Sequence, residues 1–169
     1  TATRALETLV IPAANLASVV NTTAMSISLK GLMSYADLVS YDQFYPLAWG
    51  SSTIGITYEV TTYSSFDGRW GFEQAVGGVL DVVRTANGYY DMAMHVPFNV
   101  ASRHGSTFIN GANDGVALAA NETPTTLADL SAVDIILAKP RVGSVVFNIQ
   151  QGSLWGVDIG DAGIEEAST

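Results

Sequence analysis

The sequence predicts an all-β domain, a sandwich or single barrel of about eight to ten short antiparallel strands. Three observations predict it. The stretch from Tyr89 to Phe98 alternates without a break, with Tyr90, Met92, Met94, Val96 and Phe98 on one side and Tyr89, Asp91, Ala93, His95 and Pro97 on the other. Successive strand side chains point to opposite faces, so this is a strand with one buried, apolar face. Turn residues recur at intervals of roughly 8 to 12 residues, the spacing of an all-β domain. No long helical period stands out, and no stretch alternates strand with helix as βαβ units would.

The elements follow in order. Residues 1–17 read as an arm on a neighbour or a first short strand, with apolar Leu6, Leu9, Val10 and Ile11 ended by Pro12. The start reads as a native N-terminus from which Met has been removed. Ser18 to Leu29 is rich in β-branched residues and alternates at Met25, Ile27 and Leu29, until Lys30-Gly31 breaks it. Residues 31–46 fit either one or two helical turns, or a strand followed by a tyrosine-rich loop. Ile54 to Tyr63 is a second clear strand, with Ile54, Ile56, Tyr58 and Val60 opposing Gly55, Thr57, Glu59 and Thr61. Asp67-Gly68 reads as a hairpin turn flanked by Phe66 and Trp70, and Gly77-Gly78 as the next break. Val79 to Arg84 is a short strand, and Asn87-Gly88 turns into the strand that organises the pattern. Asn110-Gly111 reads as a turn that closes this region, with SRHG, which holds His104, as a loop.

Further on, Val116 to Ala119 is a short apolar piece, and NETPTTLADLS a loop of turn residues. Val133 to Ala138 is a strand closed by Lys139-Pro140. Ser144 to Gln150 alternates through Val145, Phe147 and Ile149, and Gln151-Gly152 turns it. Leu154 to Ile159 follows, with Trp155, Val157 and Ile159 on one side. The domain plan is an arm at 1–17, the β domain at 18–160, and a frayed acidic tail at 161–169.

The bulk composition bounds the function. At 169 residues the chain is one domain with a sizeable core, and 48% hydrophobic residues argue against disorder. Only 14% of residues are charged, so either another subunit covers part of the surface, or a large Ser/Thr/Asn surface is uncharged. The net charge of −9 repels nucleic-acid phosphates and anionic membranes. With no cysteine there are no disulfides, thiolate metal sites or thiol nucleophiles. No apolar run reaches the roughly 20 residues that a membrane helix needs.

From Val79 onward, the order of features resembles the jelly-roll domains of the TNF/C1q type and of viral coats. The residues that carry the resemblance are Gly88-Tyr89-Tyr90, Phe108-Ile109-Asn110-Gly111, Asp134-Ile135-Ile136-Leu137 and Leu154-Trp155-Gly156-Val157. It covers about the C-terminal half. It implies a jelly roll, and a homotrimer with aromatic residues near its axis.

Chemistry is sparse. His95 and Asp91 lie four residues apart on one strand face, roughly 13 Å, too far to share a metal. A serine nucleophile needs a base, and no G-x-S-x-G occurs. Asp67, Asp91, Asp114 and Asp158 each fit a turn or a solvent face. Asn110 to Gly115 lacks the alternating oxygen ligands of a calcium loop and reads as a turn. Trp155 reads as core, and Trp70 as either core or interface.

The expected function is a structural virion protein, a capsid, decoration or spike subunit. It would act without catalysis or cofactor, through self-association and contact with other coat proteins. Its candidate interface residues are Leu6, Leu9, Tyr89, Asp91 and His95. The alternative is an extracellular carbohydrate- or receptor-binding jelly roll with Trp49, Phe66 and Trp70 as its platform. Neither reading involves nucleic acid or membrane insertion.

Overall fold

The computed structural model describes residues 9–35, 43–61, 68–90, 93–142 and 146–169. Leu6, Phe66, Asp67, Asp91 and Met92 lie outside the described residues. The described residues form a two-sheet antiparallel β-sandwich, as expected. In chain order the strands are β1 Leu9–Ile11, β2 Ala24–Tyr35, β3 Gln43–Gly50, β4 Gly55–Thr61, β5 Arg69–Val76, β6 Val79–Arg84, β7 Ala93–Gly105, β8 Ile109–Asn113, β9 Val116–Ala117, β10 Ile135–Val142 and β11 Val146–Trp155. One sheet has the order β1-β10-β3-β4-β5-β6, the other β11-β2-β7-β8-β9. Among the described residues one α-helix, α1, follows at Gly160–Ala167.

The core is the apolar stripe of each sheet. Met25, Ile27, Leu29 and Met33 of β2 face Leu47, Trp49, Ile56, Tyr58, Val60, Trp70 and Phe72 of the six-stranded sheet. Aromatic rings link the layers. Tyr58 meets Phe72 edge-on at 5.0 Å between centroids, and Trp70 lies 5.1 Å from Phe98. Close packing dictates two glycines here. A methyl group at Gly111 would run into the Phe72 ring, and one at Gly31 into the carbonyl of Asn148 and the tip of Phe98.

Several expected boundaries move. Lys30-Gly31 does not break β2, because Gly31 pairs with Phe98 and Ile149 inside the sheet. Asn110-Gly111 is not a turn. It lies within β8, and the turn falls at Asp114-Gly115, where φ is 48° and 79°. Gln151-Gly152 is not a turn either. A bulge between Ile149 and Gln151 inserts one residue, and β11 continues to Trp155. The organising strand also changes phase. His95 has φ of 58°, Met94 turns out to 76% exposure, and Val96, Phe98, Val100, Ser102 and His104 continue the inward row. The strand therefore runs on through SRHG, and His104 is in the core rather than in a loop. The insertion in β11 is a one-residue change in a period of two, which swaps the faces beyond it.

The acidic tail is not frayed. Residues 160–167 form α1, which lies across the outer face of β7 and β8. Ile164 is fully buried against Ala101 and Ala112. Arg103 holds the start of the helix, with its guanidinium 3.3 Å from Asp158 and 3.0 Å from Asp161. The same guanidinium stacks 4.2 Å over the Phe108 ring. At the other end, β1 is a first strand paired with β10, the second of the two readings allowed for residues 1–17.

Candidate functional site

The expected site residues separate. Trp49 and Trp70 are fully buried in the core, so neither can offer a face to a ligand, and the platform expected there is corrected. The Trp49 indole donates to the carbonyl of Val133, while the Trp70 indole nitrogen is buried without an acceptor among the described residues. Leu9 is 61% exposed on an edge strand. Tyr89 is part-exposed and donates to the Asn113 carbonyl. His95 is exposed at the start of β7. His95 and His104 stand nine residues apart on one strand, roughly 30 Å, and do not converge.

The bulge in β11 creates the feature that sequence periodicity missed. Before it, Phe147 and Ile149 pack against the core. After it, Leu154 takes over that role, so Gln151, Ser153 and Trp155 turn to the outer face. There they pair in register with Lys30, Ser28 and Ser26 of β2. The Ser26 hydroxyl donates to the Val157 carbonyl at 2.8 Å and accepts from the Ile159 amide at 3.2 Å, which fixes the path from β11 into α1. The helix then forms a wall. Between it and the sheet lies a groove of about 460 Å³ lined by Trp155, Gln151, Ser153, Ser28, Lys30 and Glu166, among others.

The groove combines a half-buried indole with hydroxyls, an amide, an ammonium and a carboxylate. An aromatic face binds the C–H side of a ring-shaped ligand, and the polar groups around it satisfy hydroxyls. Neither Lys30 nor Glu166 has an ion-pair partner among the described residues. The sequence signal was present as Trp155 in the last strand, but its face depended on one inserted residue.

Two other polar clusters have structural explanations. Tyr58, Ser102 and His104 form a buried chain, with Tyr58 Oη 2.6 Å from Ser102 Oγ, and Ser102 Oγ 2.8 Å from His104 Nε2. Burial pushes the Tyr58 phenol up and holds the His104 imidazole down, to about 3. All three side chains lie in the interior, away from ligand. On the outer side of the six-stranded sheet, Thr57 donates to Glu73 at 2.6 Å and Thr61 to Glu59 at 3.0 Å. Arg84 closes this cluster on Glu73 at 3.4 Å. Among the described residues, no group of three or more His, Asp or Glu side chains could hold a metal. No helix among them is long and apolar enough to cross a membrane.

No family model matches the chain, and no curated protein matches it. Solved structures do. One is of botulinum neurotoxin type C, which enters cells in dependence on interaction with two ganglioside molecules. It has a TM-score of 0.66 at 9% identity and covers 94% of this chain and 38% of its own. A second is the binding domain of botulinum neurotoxin DC in complex with SialylT, at 0.66 and 10% identity, covering 86% of this chain and 35% of its own. A third is the DC binding domain in complex with rat synaptotagmin II, at 0.61 and 9% identity, with the same coverage. The chain thus spans little more than a third of the length of the structures it matches. At these identities the likeness is one of fold, and the chain has the jelly-roll-like β-sandwich found within those receptor-binding domains.

Proposed function

We propose that the chain is a carbohydrate-binding module that works without a chemical step, through the groove between β2, β11 and α1. One observation carries this reading: the half-buried Trp155 shares a groove with the hydroxyls of Ser28 and Ser153, the Gln151 amide and the Lys30 ammonium. A pocket with an aromatic wall and a few oriented polar groups suits a sugar ring. The fold likeness to domains studied with gangliosides and SialylT adds support. A glycan array with the intact chain tests it, alongside Trp155→Ala. Binding of a defined glycan class that Trp155→Ala removes is the expected result. An empty array, or unchanged binding by the variant, overturns the reading. Such a module acts outside the cell or on the surface of a particle.

The open side of the sandwich favours a second reading. The edge strands β1 and β11 expose Leu9, Val10 and Val146, and Leu9 lines an apolar slot of about 310 Å³ between the sheets. Unpaired edges of this kind accept a strand from another chain. Through them the chain would act as a virion subunit of the TNF/C1q or viral-coat jelly-roll type, assembling as a homo-oligomer or on other coat proteins. Sedimentation of a compact monomer at high concentration, with no assembly on purified coat proteins, would remove this reading.

A further inference from the structure

The opposite sheet holds a second recess. It measures about 260 Å³ and is lined by Tyr45, Ala48, Ser51, Ser52, Thr57 and Lys139 on the outer side of β3, β4 and β10. Two neighbouring strands break their alternation at this point. β3 shifts register between Phe44 and Leu47, so Tyr45 falls within an irregular step. β10 carries Ala138 at φ of 55°, a conformation that a residue with a Cβ adopts only when its surroundings hold it. The irregularities bring Tyr45 and Lys139, paired in register, to the same recess. Bulges that re-aim side chains are frequent at binding sites.

Charge defines what the recess would take. Lys30 and Lys139 are the two lysines of a chain with net charge −9. Lys139 has no carboxylate partner among the described residues, whereas Arg84 and Arg103 are paired with acids. Of the carboxylates on the outer face of this sheet, Glu73 is held by Thr57 and Arg84, and Glu59 accepts from Thr61. The Gly50-to-Gly55 turn supplies Ser51 and Ser52 at the rim, with the Ser51 amide donating to the Ile54 carbonyl at 2.8 Å. The chain as a whole repels anions, but at physiological salt that field is screened within about 8 Å, and a local ammonium dominates at contact distance.

We propose that this recess is a separate subsite for a carboxylate-bearing sugar. Lys139 would take the carboxylate, Ser51 and Ser52 the hydroxyls, and Tyr45 the ring face. The sugar class rests on the glycan reading above, but the preference for an anion rests on Lys139 and does not involve the Trp155 groove. Sialic and uronic acids share this chemistry.

The test is titration of the ¹⁵N-labelled chain, followed by amide shifts and calorimetry, with four probes. These are the methyl glycoside of N-acetylneuraminic acid, methyl glucuronide, neutral methyl glucoside, and acetate. At least one acidic sugar should shift the amides of Tyr45, Ala48, Ser51, Ser52 and Thr57 saturably, and more strongly than the neutral sugar or acetate. Lys139→Gln should weaken that binding by about tenfold or more, as expected for loss of a charge-assisted hydrogen bond, with an unchanged melting temperature. Lys139→Arg should retain most of it, and Trp155→Ala all of it. Equal binding of methyl glucoside, or of acetate, overturns the proposal, as does an acidic sugar indifferent to Lys139→Gln. If binding is lost in Trp155→Ala but kept in Lys139→Gln, the ligand sits in the other groove. The subsite then fails while the glycan reading stands. If the acidic sugar binds here with the array result independent of Trp155, the subsite stands and the groove fails.

Discussion

Ser102 Oγ stands 2.8 Å from His104 Nε2, with both side chains fully buried between the sheets. Next to a serine, a histidine suggests a nucleophile and its base. Here the serine also reaches Tyr58, whose phenol donates to the Ile27 carbonyl at 2.8 Å, so the three side chains tie β4 to β2 and β7. Among the described residues His104 Nδ1 has no partner, so none of them orients the ring as a triad would require.

This network makes stability depend on pH. Burial lowers the folded pKa of His104 to about 3 from an ordinary 6.5, so between those values the unfolded chain binds a proton that the folded chain does not. Stability from this residue is complete above pH 6.5 and is lost as pH falls towards 3, at up to about 1.4 kcal/mol per pH unit. Urea unfolding at pH 7, 6 and 5, before most carboxylates titrate, reads the slope. In His104→Gln the slope over that range should largely disappear. A wild-type slope that persists in the variant would assign it to other groups.

Trp155 and Trp70 should behave in opposite ways. Trp155→Ala is expected to remove glycan binding while shifting the melting temperature by only a few degrees, because the ring is half-exposed over the groove. Trp70→Ala removes a fully buried ring from the aromatic cluster and should cost about 3–5 kcal/mol. Trp70→Phe should cost much less, since the Trp70 indole nitrogen has no acceptor to lose among the described residues. Denaturant midpoints for the three variants, with array binding for the first, check the contrast.

Gly111→Ala should destabilise through Phe72. The new methyl meets the ring, which packs edge-on against Tyr58 and has no free direction in which to move. Overpacking of this kind costs about 1–3 kcal/mol. Phe72→Leu in the same chain should cost less than the sum of the two single changes, which a double-mutant cycle on urea midpoints would show.

The helix α1 should detach as a unit. Ile164→Ala is expected to cost about 2–4 kcal/mol from its fully buried position. Arg103→Met leaves Asp158 and Asp161 without their shared cation, while Asp161 keeps the hydrogen bond donated by the Asn110 amide at 2.9 Å. Amide exchange of residues 160–167 should quicken in both variants well before that of β2 or β7. Because the helix walls the groove, glycan binding should weaken with it.

The sequence by itself determined the class of fold and most of its strands. Alternation at Met25, Ile27 and Leu29 and at Ile56, Tyr58 and Val60 encodes a sheet with a buried face, and the structure buries all six. Turn chemistry at Gly77-Gly78 likewise ends one strand and begins the next. Only the tertiary structure decided which face each later residue takes. A bulge at Ile149/Gln151 leaves composition untouched yet exchanges inside for outside along the rest of β11, and the irregular backbone at His95 turns Met94 out of its row. For that reason Trp155 lines a groove, whereas Trp49 and Trp70 lie in the core because β3 and β5 aim them between the sheets. The last residues, too polar and small to predict a helix, fold as one because β7 and β8 present Ala101, Ala112 and Arg103 to receive Ile164 and Asp161. Local pattern fixes the period of a strand; its phase is set by long-range partners, which a one-dimensional pattern does not contain.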